Sequence, residues 1–573
     1  MKKNALWLVS IILMMSMFLA ACSGSDDTSS DTEKKADPKK EVKNEITYGF
    51  TQPFKGVFSM AFYGGVDDAE VMQFTHESLV KTTAELEFEP HLAESWEFSE
   101  DYSKLTFKLK QGIKWHDGHE LTMEDFEYAM YIIADPEYTG SRFSNVSMIK
   151  GAQAYKDGAA DTIEGIKVID DYTLEITVET PQNNLVSNLW TSPEPKHYYE
   201  GLKVTDIENS EQVRKAPIGT GPFKIKTIVP GETVELVKNE DYWGGDVKLD
   251  RVVYKVVDGA LVSGLIENGE IDVVGVPMDQ WSTVKEYSNI NAVSIPALSY
   301  SYIGLKLGKW DAANNTVVQN NEKLDNKNLR KAMLHAIDRE GYIENFRSGL
   351  GAPLNVPFPS ASWAKIDDSE ITDYNYDVEK AKALLDEAGY KDLDGDGFVE
   401  GLDGKEFTLN FDYMSGSDTS ETRAEFFIQS WQAIGLNVKL NGGLKEFNTF
   451  YEFVENDDPS VEVFAGAWSL GTEPDPAGLW LSSDYWNFPR WNNPTSDELI
   501  TKAQGFPEDP SQDIQEFRTE IYHEWQKLVN EELPLLFLEQ YEDAWAINKR
   551  VQGVEVTAYG LLTGEFHNWS VTE

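Results

Sequence analysis

Two groups of carboxylates in this chain have spacing that could do chemistry. Asp392, Asp394, Asp396 and Gly397 follow D-x-D-x-D-G, with Phe398, Glu400 and Asp403 at loop positions 7, 9 and 12. That pattern wraps oxygen ligands around a hard cation such as Ca²⁺, with the glycine permitting the sharp turn and Phe398 offering its carbonyl. Asp403 stands where the longer Glu is usual, which shortens its reach. The same residues also suit an acidic turn that caps itself with Asx bonds, so a structural Ca²⁺ is the one cofactor to test and none is required. In the second group, Glu473 and Asp475 alternate with Pro474 and Pro476, shortly after Trp468. Proline fixes φ and has no N–H, so these acids sit on a stiff loop, where a carboxylate beside an aromatic suits a cationic group such as an amino terminus.

Catalytic signatures are missing. The sequence has no G-x-S-x-G elbow, no P-loop and no H-E-x-x-H. His116, His119 and Glu120 lie close in sequence, but their spacing matches no metal motif and suits surface histidines with ordinary partners. With 98 Asp and Glu residues, a pair of acids able to act as a glycosidase carries little information. An extracellular hydrolase is therefore the competing class, and the expectation is that the chain is not an enzyme.

The single cysteine decides the compartment. Lys2 and Lys3 precede an apolar run from Ala5 to Ala21, which ends Leu19-Ala20-Ala21-Cys22. A positive start, a short apolar run and small residues at its end read as a secretory signal over 1–21, and the junction resembles a bacterial lipobox. Cys22 is then the acylated mature N-terminus, which anchors the chain at the outer face of a membrane. No later segment approaches 18 unbroken apolar residues, so nothing else is expected to span a bilayer. Residues 23–43 are polar and read as a flexible tether. A formal net charge of −48 excludes nucleic-acid binding as the main activity, because phosphates need Lys and Arg to neutralise them. One cysteine excludes internal disulfides and cysteine-rich zinc sites, and 573 residues are too many for one core.

Strands and helices interleave along the whole chain, which points to a mixed α/β fold (α+β layers). Alternating apolar residues predict strands at Ser103–Trp115 and around Leu174, Ile176 and Val178. Thr122 and Asp125 open a helix with Phe126, Ala129, Met130 and Ile133 on one face. Leu329–Tyr342 reads as one amphipathic helix. Asp377 caps another helix, which carries Ala381, Leu384, Leu385 and Ala388 and ends at Gly389. Thr495 and Glu498 suggest a capping box before Leu499 and Ile500, and a helix with Ile521, Trp525 and Leu528 leads into a strand at Leu533–Leu538.

Five stretches occur in a characteristic order: PHLAESWEFSEDYSKLTFKLKQGIKWHDG (90–118), IGTGPFKI (218–225), LVKNEDYWGG (236–245), LRKAMLHAIDRE (329–340) and GAPLNVPFP (351–359). From Glu45 onward the chain thus resembles the bacterial extracellular solute-binding proteins of family 5, the oligopeptide-, dipeptide- and nickel-binding class. SRFSNV (141–146), NGGLKEFNTF (441–450) and GAWSLGTEPDP (466–476) resemble the lactococcal type of oligopeptide-binding lipoprotein.

The resemblance implies a two-lobed periplasmic-binding-protein-like fold with a hinge and an extra third domain. Residues 44–82, 202–299 and 541–573 would form lobe I, 83–201 the extra domain, and 300–540 lobe II. It also implies a monomeric receptor that delivers oligopeptides to an ABC permease, with receptors for dipeptides, haem, nickel complexes or peptide pheromones as alternatives. Gly65 and Val66 fall where one lobe offers backbone to the peptide, and Ala467 and Trp468 where the other does. Phe143 and Tyr302 join them as expected ligand contacts. The acid that binds the peptide amino terminus in enterobacterial relatives is absent, because Leu470, Gly471 and Thr472 occupy that region. Glu473 or Asp475 is left to fill the role, or nothing fills it.

Overall fold

The computed structural model describes residues 44–509 and 511–572. Cys22 and the segments expected as leader and tether lie outside them. Among the described residues no helix is long and apolar enough to cross a membrane.

Local signals set several elements. The Asp125 carboxylate accepts the Thr122 N–H at 3.1 Å, which opens the helix Met123–Ala134. Asp377 caps Val378–Ala388 by accepting the Lys380 N–H, and Gly389 ends that helix at φ +94°, where a Cβ would be strained. Three expectations change. The Leu329–Tyr342 helix is two helices, Lys327–His335 and Arg339–Arg347, because Asp338 caps a fresh start by accepting the Gly341 N–H. The helix near 495 begins at Pro494, and Asn493 is its cap in place of Thr495. The Ser103 strand covers only Lys104–Leu109, since the chain turns at Gly112.

One eleven-stranded sheet runs through the protein. Its strands, numbered along the chain, are β1 (Glu45–Phe50), β2 (Phe223–Val229), β3 (Thr233–Lys238), β4 (Arg251–Val256), β5 (Val273–Gly275), β6 (Ile290–Leu305), β7 (Gly351–Pro353), β8 (Thr408–Asp412), β9 (Asn437–Leu440), β10 (Val463–Ser469) and β11 (Leu535–Asn548). Their order in the sheet is β9-β8-β10-β6-β11-β5-β1-β4-β3-β2, with β7 added beside β11. The long antiparallel strands β6 and β11 serve both halves. Their pairing breaks between Pro296 and Tyr300, where the register shifts. Proline cannot donate to a ladder, and a bulge adds local twist, so the crossing strands have a weak point between the two halves.

The apolar cores follow the same division. One core lies wholly between Tyr300 and Leu538. Another joins β1, β2–β4 and the C-terminal segment through Tyr48, Phe74, Tyr254 and Trp569. A third surrounds a four-stranded antiparallel sheet (Ala93–Phe98, Lys104–Leu109, Thr173–Thr177, Ile166–Asp170) and the helix Met123–Ala134. This third core reaches back to Val57 and on to Val213, beyond the 83–201 expected for the extra domain.

Candidate functional site

A cavity of about 820 Å³ lies between the halves and takes wall residues from both. Gly64, Gly65 and Val66 line one side, at the start of the helix Val66–Met72. Ser469, Leu470 and Gly471, at the end of β10, line the other. Val66 is 70% exposed. Arg142 reaches the same cavity, with its guanidinium 4.3 Å from the centre of the Tyr63 ring and Nη2 donating to the Tyr63 carbonyl.

Ser469, Leu470 and Gly471 also border a second cavity of about 370 Å³, walled by Tyr300, Trp468, Trp480 and Trp486. Trp468 and Trp486 separate it from a third, about 460 Å³, lined by Phe447, Tyr451 and Phe488. Trp468 stacks on Phe488 at 5.4 Å between centroids and meets Trp486 edge-on. The three spaces therefore follow one another along the end of β10. Apolar walls with a few placed polar groups at a junction of lobes are the usual make-up of a ligand site.

The backbone of β10 has an open edge. Leu470 N–H donates to Leu298 O, and the same register pairs Trp468 with Tyr300 and Gly466 with Tyr302. Antiparallel ladders alternate, so the even-numbered residues face β6, and Ala465, Ala467 and Ser469 direct N–H and C=O to the opposite side. There β8 pairs only with Val463 and Phe464. Among the described residues no strand continues along that edge past Phe464, and Ser469 is exposed.

The electrostatics are uneven. Glu70 lines the wide cavity, and its carboxyl is pushed up to about 7 by burial, although Tyr48 donates to it at 3.0 Å. Among the described residues no Lys, Arg or His bridges it. His76, on the same wall, is held neutral by burial, down to about 3. Glu77 behind it is a structural acid. It accepts from His91, Tyr242, Trp243 and Thr220, at 2.7–3.0 Å.

Comparison with known proteins agrees with this geometry. Residues 87–489 match the family described as "Bacterial extracellular solute-binding proteins, family 5 Middle". The chain belongs to this family. It is 28% identical to the oligopeptide-binding protein AppA of Bacillus subtilis (strain 168), over 96% of each chain. It is 30% identical to the oligopeptide-binding protein OppA of Lactococcus lactis subsp. lactis, over 81% of this chain and 78% of the relative. The solved structure of lactococcal OppA, complexed with an endogenous peptide in the closed conformation, superposes with a TM-score of 0.70 at 25% identity, covering 91% of this chain and 98% of the other. The structure of B. subtilis AppA with a nonapeptide gives 0.66 at 26% identity, over 92% and 99%. The two-lobed family 5 fold is thus the architecture in which the three cavities sit.

Within this family 5 fold, some of the expected contacts gather and others do not. Gly65 and Val66 face Ser469–Gly471 across the wide cavity, and Trp468 divides the other two. Ala467 contributes backbone at the open edge. Tyr302 lines none of these three cavities: it is 2% exposed, stacks beneath Trp468 and meets Phe464 edge-on in the core. Phe143 packs on the extra-domain core, and its neighbour Arg142 is the residue that enters the cavity.

Glu473 and Asp475 both line the second cavity, yet each already has protein partners. Glu473 forms an ion pair with Arg518, which holds the guanidinium charged, and lies 3.4 Å from the Ser187 hydroxyl. Asp475 accepts from Asn184 at 2.9 Å, Gln504 at 2.8 Å and the Ala477 N–H at 3.0 Å. Asn184 and Ser187 flank Leu185 of the third core, so the loop after β10 is tied to that part of the chain. Neither acid is a free carboxylate awaiting an ammonium.

The acidic loop also divides. Oxygens of Asp392, Asp394 and Asp396 come within 4.8 Å of one another, beside a small space that Phe398 and Glu400 also line. Each aspartate meanwhile accepts a nearby backbone N–H in Asx fashion, and Glu400 accepts from Leu393. Asp403 does not join them, because Lys405 holds it from both its N–H and its ammonium. Sequence reasoning missed Glu70 and Arg142. Glu70 shares a short helix with Asp67 and Asp68, and nothing linear separates the three acids.

Proposed function

We propose that this family 5 chain is the receptor of an ABC importer, closing on an extended oligopeptide between its lobes and delivering it to the permease. The observation that carries this reading is the open edge of β10, which ends in the wide cavity opposite Gly65 and Val66. An extended peptide repeats N–H and C=O groups every ~3.3 Å, so it can add as a strand to such an edge while its side chains enter the cavities. Backbone pairing is blind to sequence, which suits a receptor for nutrients of many compositions. The relatives named as oligopeptide-binding and the two peptide-bound solved structures support the ligand class.

With Glu473 and Asp475 already engaged, recognition rests on the backbone and leaves the peptide ends unfixed, so longer ligands are accepted. The receptor works as a monomer at the outer face of the membrane, held by acylated Cys22 and spaced from it by residues 23–43. The Asp392–Glu400 loop is a weak structural Ca²⁺ site with no part in ligand chemistry.

The test is direct titration of the unliganded protein with peptides of graded length, with dipeptides, haem and nickel complexes as competitors and cleavage followed by mass spectrometry. Tightest binding at lengths beyond four residues, with the peptides recovered intact, is expected. Preference for a dipeptide, haem or a nickel complex, or hydrolysis of the peptide, overturns the reading.

A further inference from the structure

Three side chains far from the interlobe cavities come together on the extra domain. Asp117 and His119 lie on the turn Trp115–His119, and His197 lies on the segment after Glu194. His197 Nε2 is 2.8 Å from Asp117 Oδ2, although the two residues are 80 positions apart. The His119 and His197 rings lie parallel, 4.0 Å apart with a 9° interplanar angle. One ligand atom from each of the three falls within 4.8 Å of the others.

The neighbours that share the local sequence are already used. His116 accepts the Gly219 N–H and contacts the Gly221 carbonyl, and Glu120 accepts the Tyr172 hydroxyl. Lys196 is paired with Glu124. Asp117, His119 and His197 thus remain as an exposed to half-buried trio open to solvent.

The trio is held by structure beneath it. Trp115 N–H donates to His119 O, Gly118 N–H donates to Trp115 O, and Gly118 sits at φ +94° to close the turn. His119 N–H donates to Asp117 Oδ1, which leaves Oδ2 for His197. Buried Asp125 ties both segments together. Its carboxylate accepts from Trp115 Nε1 at 3.3 Å and from the Lys196 N–H at 3.1 Å, and its carbonyl accepts the Glu194 N–H. A common buried carboxylate thus brings the two loops to one point.

From this arrangement we infer that Asp117, His119 and His197 bind one divalent transition-metal ion of the Zn²⁺ class, which staples the Trp115–His119 turn to the 194–198 segment. Two imidazoles and one carboxylate suit Zn²⁺, with Ni²⁺ and Cu²⁺ as competitors, whereas Ca²⁺ and Mg²⁺ prefer all-oxygen sets. Zn–N and Zn–O bonds of ~2.0–2.2 Å place tetrahedral ligands roughly 3.3 Å apart, so on binding the two stacked rings turn out of parallel to aim one nitrogen each at the ion. The ion takes the place of the hydrogen between His197 Nε2 and Asp117: in the neutral ring that hydrogen moves through water to Nδ1, and from the imidazolium one proton is released to solvent. Water completes the coordination. The ion acts on the extra domain and does not contact the peptide cleft.

The experiment uses tag-free, chelator-stripped protein titrated with ZnCl₂ by calorimetry, with Co²⁺ absorption as a second probe and thermal melting alongside. Wild type takes up one Zn²⁺ at this site, its melting temperature rises with Zn²⁺, and Co²⁺ gives the visible bands of a nitrogen-oxygen site. His119→Ala and His197→Ala each weaken binding tenfold or more and abolish the Co²⁺ bands. His116→Gln and Asp394→Ala keep both signals. Circular dichroism and peptide titration confirm that each variant is folded. Absence of Zn²⁺ uptake by folded wild type, or uptake unchanged in both His119→Ala and His197→Ala, overturns the inference.

Discussion

An Ala467→Pro substitution separates the strength of the β-sheet from the capture of peptide. In the register of β10, Ala467 points its N–H away from β6, so proline there removes no bond of the β6–β10 ladder. Proline is tolerated on an edge whose N–H faces solvent, and Gly466 before it adapts to the restriction that proline places on its predecessor. What is lost is the donor offered to the ligand. A bound peptide carbonyl left without that donor costs about 1–3 kcal/mol, or roughly 5- to 150-fold in affinity. The assay is fluorescence anisotropy with a labelled oligopeptide, run beside thermal melting. Affinity is expected to fall in that range while the melting temperature stays near wild type. Ala467→Val, which keeps the N–H, controls for bulk. Trp468→Pro removes a ladder donor and is expected to destabilise the lobe. Unchanged peptide affinity in Ala467→Pro would refute strand addition at β10.

Other outcomes follow from the same structure. Cys22→Ser releases the protein into the medium or leaves the precursor uncleaved, and normal membrane retention on fractionation would sink the anchor. Calcium binds to the 392–403 loop in the ~10⁻⁴–10⁻³ M range, and calorimetry loses the heat in Asp394→Ala. Glu77→Gln turns one of two acceptor oxygens into a donor, so two of the four donors from His91, Tyr242, Trp243 and Thr220 lose their acceptor, and denaturant melts show a loss of about 1–3 kcal/mol for each. Glu70 and Glu539 are both raised from 4.5 to about 7 by burial, so the folded state binds more protons than the unfolded state between those values. Stability therefore falls as pH rises from about 4.5 to 7, and Glu70→Gln with Glu539→Gln flattens that slope in melts across the range. Scattering shows a smaller radius of gyration with saturating peptide, and an unchanged radius would mean that the lobes do not close on it.

The sequence by itself determined whatever depends on a few adjacent residues. Thr122 with Asp125, and Asp377 with Gly389, set helix ends because a cap is satisfied within one turn of its own backbone. The five family stretches named the architecture because their order carries it. Even locally there were failures: Asp338 restarts a helix inside an unbroken apolar stripe, and Asn493 takes the cap expected of Thr495, since periodicity does not reveal which polar residue turns inward.

Only the tertiary structure decided which polar groups were free. Glu473 and Asp475 read as open carboxylates in the sequence, but Arg518 lies 45 residues away and Asn184 lies 291 away, and both arrive through folding. Tyr302 and Trp468 are equally aromatic in the sequence, yet one is buried beneath the other. The side-chain partner of Asp117 at the surface, His197, likewise comes from another loop, because Asp125 binds both segments from below. A charge or ring is a site only if folding leaves it unsatisfied, and that depends on partners whose distance along the chain carries no local signal.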